Sequence, residues 1–160
     1  MFTKQLIQSL KFGLILKTSF LLLFSLSIFA VSGFSQTTDV PAMQDYKGVK
    51  IGMTADEVRD KLGKAKTEDK DGFFYVFSDK ETAQVLLDDD HKVNVISVTY
   101  PGNYHNPPTC EDVFGKGVEP ETRPSGSLYK MIRFPKEGYW VAYSRLAGDD
   151  PAVSITINKF

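Results

Sequence analysis

The chain has 160 residues, 19 basic and 20 acidic side chains, a formal net charge of −1 and one cysteine. A single cysteine excludes an intrachain disulfide and a cysteine-rich metal centre. Balanced charge without a basic run argues against nucleic acid or anionic lipid as the main partner.

Residues 1–35 contain Lys4, Lys11 and Lys17 and no acidic residue. Positions 20–31 are apolar except for Ser25 and Ser27, and Gly33 and Ser35 put small residues at −3 and −1 before Gln36. That is the layout of a secretory signal peptide. The run is short for a membrane span, which needs about 20 residues. Cleavage near Ser35 and a periplasmic or secreted product are expected. The alternative is an uncleaved N-terminal membrane anchor, since 6–16 is also largely apolar. The leader holds three of the 19 basic residues and none of the 20 acidic ones, which leaves 16 against 20 and a net charge near −4. Residues 36–47 are polar and read as a flexible lead-in, with one helical turn expected over 42–46.

Helix signals follow. Thr54 is a good N-cap. Glu57 stands three residues on and completes a capping box, while Met53 and Val58 have the spacing of a hydrophobic staple. Asp56 and Glu57 suit the positive end of the helix dipole. Val58 and Leu62 share a face, and Gly63 fits the C′ position. Gly52 opens the motif; one glycine there does not make a ligand site.

Residues 64–72 read as a charged loop ending in the turn signal Asp71-Gly72. Strands are expected over 73–77, 83–87 and 93–100. The first is apolar on both faces. In the last, the apolar phase changes between Val95 and Ile96, which suggests a bulge or two-sided burial. The acidic turn 88–92 joins the last two.

Gly48-Val49-Lys50-Ile51-Gly52-Met53-Thr54, Glu57-Val58, Leu62-Gly63 and Phe74-Tyr75-Val76-Phe77 together resemble the SmpA/OmlA (BamE-like) family of bacterial envelope modules. The same helix-then-meander unit is similar to one repeat of the β-lactamase inhibitory proteins. The resemblance covers residues 48–100, about a third of the chain. It implies a module that binds proteins or envelope components and is not an enzyme. Lipoproteins of the family carry a lipidated cysteine after the signal sequence. Here the only cysteine is Cys110, so no lipid anchor is expected.

Residues 101–108 form a breaker-rich linker, after which the pattern restarts. Thr109 and Asp112 can cap a helical turn, with Val113 in the place held by Val58. A polar loop spans 118–126, and strands are expected over 128–134, 139–146 and 153–158. The last alternates Val153, Ile155 and Ile157 with Ser154, Thr156 and Asn158. This reads as a second, degenerate module over 109–160; a plain six-stranded meander gives the same pattern. A short helix is unstable alone and must dock on the sheet. The fold class expected is α+β, a short helix packed on an antiparallel meander, duplicated.

No chemistry stands out. His91 follows three aspartates, but neighbouring strand residues point to opposite faces, and no metal site or cofactor is expected. No nucleophile elbow or phosphate loop is present. Cys110 reads as a small buried apolar residue. The remaining signal is aromatic. One account buries these rings in the core; the other leaves one face of the sheet as a partner surface. On the second account Tyr75, Tyr129, Trp140 and Tyr143 bind a protein partner in the cell envelope. Three functions follow: an exported, non-catalytic binding module; an inhibitor of an exported hydrolase, presenting the turns 78–81 or 88–92; and, disfavoured, a small hydrolase.

Overall fold

The computed structural model describes residues 41–160. The expectations for the leader and for the first residues of the lead-in lie outside the described residues. The described residues belong to one compact unit.

Helix α1 spans Ala55–Leu62 and begins as its sequence dictates. The Thr54 backbone N–H donates to Glu57 Oε2 at 2.8 Å, and the Glu57 N–H donates to Thr54 Oγ1 at 3.4 Å. Gly63 closes the helix at φ +73°, a conformation that glycine adopts freely. Val58 is fully buried, Leu62 and Met53 are partly buried, and all three pack on one core cluster. Helix α2, Cys110–Phe114, repeats the device: Thr109 N–H donates to Asp112 Oδ2 at 2.7 Å and Asp112 N–H to Thr109 Oγ1 at 3.2 Å.

The rest is strand. These are β1 (Thr67–Asp69), β2 (Gly72–Ser78), β3 (Glu81–Leu87), β4 (Val93–Tyr100), β5 (Glu121–Thr122), β6 (Leu128–Phe134), β7 (Tyr139–Arg145) and β8 (Val153–Lys159). They make one antiparallel sheet in the order β1-β2-β3-β4-β8-β7-β6-β5. Each half of the chain gives a helix, a short edge strand and a three-stranded meander. The last strands of the two meanders pair with each other at the centre.

Three expectations are corrected here. The fold is mostly β, because two helices of eight and five residues stand beside eight strands. The loops 64–72 and 118–126 each contain an edge strand, β1 and β5. These pair through their backbone ladder: Thr67 faces Phe74, and Glu121 faces Tyr129. Both are short, polar and exposed, as suits the margin of a sheet. The helical turn expected over 42–46 is also absent. Tyr46 and Val49 instead bridge across a turn at Lys47-Gly48. The phase change in β4 is a bulge: Leu86 faces Val95 and Leu87 faces Val93, so Asn94 is the extra residue.

The core lies on one face of the sheet. One row across it is Phe73, Val85, Ile96, Ile157 and Val141. The next is Tyr75, Ala83, Val98, Ile155 and Tyr143. All ten are buried, in one cluster with Val49, Val58, Cys110, Val113 and Phe114. The cap segments and helices thus supply the cover for this face. Among the described residues no helix is long and apolar enough to cross a membrane.

Candidate binding face

Directly opposite residues of an antiparallel pair share a face, so the register also defines the other side of the sheet. Its first row is Asp69, Gly72, Leu86, Val95, Asn158, Trp140 and Arg133. Its second is Thr67, Phe74, Gln84, Ser97, Thr156, Ala142 and Met131. Its third is Val76, Thr82, Thr99, Ser154, Ser144 and Tyr129. Along these rows Gly72 alone is buried. The face is open.

The open face has an order of its own. Its centre is neutral and hydroxyl-rich. Ser97 and Thr156 share a hydrogen bond at 3.3 Å, as do Thr99 and Ser154. Apolar side chains stand at both ends: Phe74 and Val76 at the β2 end, 39% and 49% exposed, and Met131 at the β6 end, 39% exposed. Trp140 and Tyr129 join Met131, and the Arg123 guanidinium lies 4.0 Å from the Tyr129 ring centre.

The β2 end is recessed. A shallow cavity of about 200 Å³ is lined by Thr67, Asp69, Asp71, Phe74, Gln84 and Leu86. Gly72 and Phe73 form the rest of its wall. A Cβ on Gly72 would lie 2.2 Å from the Val85 carbonyl oxygen, so no larger residue fits.

The four predicted binding aromatics divide. Tyr129 and Trp140 lie half-buried on the open face. Tyr75 and Tyr143 are 2% and 4% exposed and belong to the core, which corrects their assignment to a partner surface. Burial pushes both phenols above their ordinary pKa. The Tyr75 hydroxyl still donates to the Gly63 carbonyl at 3.4 Å, which ties β2 to the end of α1. Phe74, Val76, Met131, Leu86 and Arg133 belong to the face and were not predicted. Their signal was the polar phase of β8: whatever aligns with Ser154, Thr156 and Asn158 faces away from the core.

The remaining polar groups hold the fold together. Asp88 Oδ1 accepts from the Asp90 and Lys92 N–H groups, and Asp88 Oδ2 meets Lys159 Nζ at 3.0 Å. Those contacts hold its carboxyl below the usual range. Glu81 accepts from the Tyr46 hydroxyl at 2.9 Å and pairs with Lys47 at 3.4 Å. Burial pushes the Cys110 thiol up, away from a reactive thiolate. Among the described residues no group of three His, Cys, Asp or Glu side chains is gathered to hold a metal.

Comparison with protein-family models, with curated proteins and with solved structures gives no match to this chain.

Proposed function

We propose that the chain is an exported, non-catalytic binding module of the SmpA/OmlA type, and that it docks a protein on the open face of its sheet. The observation that carries this is the placing of Phe74, Val76, Met131, Tyr129 and Trp140 together on the side of the sheet away from the core. Exposed apolar side chains gathered on one face mark interaction surfaces, and Trp, Tyr and Arg supply most hot spots. The module reading draws on the doubled capping boxes and the repeated element order. On it, each half is a short helix docked on a meander, as the likeness to β-lactamase inhibitory proteins implies.

That repetition also favours a second reading, an inhibitor of an exported hydrolase. Its candidate loops are the turns 78–81 and 88–92, in which Glu81 pairs with Lys47 and Asp88 with Lys159. The open face serves this reading equally.

Capture from an envelope extract with immobilised protein tests both. Trp140→Ala and Tyr129→Ala are expected to weaken retention of a stoichiometric partner by about tenfold, roughly 1.4 kcal/mol, a typical hot-spot loss. Retention unchanged by every open-face substitution overturns the docking reading. A single captured hydrolase whose activity falls on binding decides for inhibition.

A further inference from the structure

The open face is complementary to itself. Its β1–β2 end is recessed and carries Asp69 and Asp71. Toward its β6–β5 end stand Trp140 on β7 and Tyr129 on β6, both half-buried, with exposed Met131, and that end carries Arg133 and Arg123. Glu121, also at that end, is paired with Lys130 at 3.4 Å. Asp69 and Arg133 stand at opposite ends of one register row. Between them the face is neutral: Leu86, Val95, Asn158 and Trp140 in that row, serines and threonines in the next two.

We propose that two copies of this chain pack open face to open face, about a two-fold axis parallel to the strands at the β4–β8 seam. The proposal rests on the reading of this face as a docking surface and names its occupant as a second copy. A two-fold axis along the strands lays the β1–β2 end of each copy on the β6–β5 end of the other. Acidic Asp69, with Asp71 beside it, then lies over the end that carries Arg133 in the same register row, and Trp140 lies over Leu86 at the recess beside Gly72. Each contact occurs twice, as an isologous interface requires. An axis across the strands instead sets Asp69 and Asp71 against their own copies, which like-charge repulsion disfavours. At the centre, hydroxyl meets hydroxyl with no charge to desolvate.

The size also fits. Six long strands about 4.8 Å apart and seven residues long, at about 3.4 Å each, make a face of roughly 700 Å². A standard interface buries about 800 Å² per partner. Two sheets stacked in this way form an ordinary aligned sandwich, with strands crossing at about 30°.

Sedimentation equilibrium of the protein as isolated from its cell, over a wide concentration range, tests the proposal. The expected result is a dimer. Arg133→Glu should weaken it tenfold or more, and adding Asp71→Lys to that variant should restore it. Trp140→Asp should give a monomer with a near-normal thermal melt. A monomer at the highest concentration and low salt overturns the proposal. So does a dimer indifferent to both Arg133→Glu and Trp140→Asp, since another surface then forms it. If the protein is a monomer and Trp140→Ala still abolishes capture of a different chain, the dimer fails while the docking reading survives.

Discussion

The two halves of the molecule use one element order and spend their helices differently. α1 has eight residues and fully buries one side chain, Val58. α2 has five residues and buries three, Cys110, Val113 and Phe114. The first is a helix by local rules: it has two cap signals, an i,i+4 apolar pair, acids at its start and basic residues in its last turn. Both are too short to persist alone, because helix nucleation is costly, and the second, at five residues, has the least helix of its own. Burial holds it in place. A longer helix can leave most of its surface wet, whereas a five-residue turn must sink its side chains into the core to exist.

This contrast predicts an order of effects. The largest belongs to the shorter helix. Phe114 is 1% exposed, so Phe114→Ala should cost about 3–5 kcal/mol in denaturant unfolding. Next comes Val58→Ala, at about 2 kcal/mol for two buried methyl groups and the space they leave. Equal costs for the two changes would break the contrast.

The caps come third. Thr54→Ala and Thr109→Ala should each cost about 1 kcal/mol. A thermal melt in which Thr54→Ala costs more than Val58→Ala would mean that α1 is not held by the core.

Acid sharpens the same point. The cap N–H groups of Thr54 and Thr109 pull the Glu57 and Asp112 carboxyls below their ordinary values of 4.5 and 3.8. Their contribution is complete above those ordinary values and is lost as pH falls through the depressed folded ones. Melting temperature should therefore fall on acidification below about pH 4.5, and the penalty of either Thr→Ala change should shrink there. A penalty that stays constant at low pH would remove the carboxylates from the caps.

The smallest effect concerns the two faces of β2. Phe74→Ser, on the open side, should leave stability within about 0.5 kcal/mol. Neighbouring Tyr75→Ala removes a buried ring and should cost several times more. A costly Phe74→Ser would show that something in the chain covers the open face.

Much of this was legible in the residues. Thr54-x-x-Glu57 and Thr109-x-x-Asp112 announce both helix starts. The six long strands follow from apolar runs between turn signals; the slip from Val95 to Ile96 left a bulge or two-sided burial open, and the register places a bulge at Asn94. β1 and β5 were not legible. An edge strand pairs through its backbone and needs no apolar phase, so Thr67-Glu68-Asp69 reads as loop.

The face of each aromatic was the other thing hidden. Residues 73–77 are apolar in both phases, so local alternation cannot say whether Tyr75 or Phe74 points inward. β7 has the same ambiguity, with Trp140 beside Val141 and Tyr143. Only the long-range pairing of β4 with β8, and of β8 with β7, aligned Tyr75 and Tyr143 with Ile155 in the core and Trp140 with Asn158 outside. Local hydrogen-bond rules act within a few residues and are written in the chain. Register joins strands some sixty residues apart, from Thr99 to Ser154 and from Val95 to Asn158, and is settled only when the buried faces close on each other.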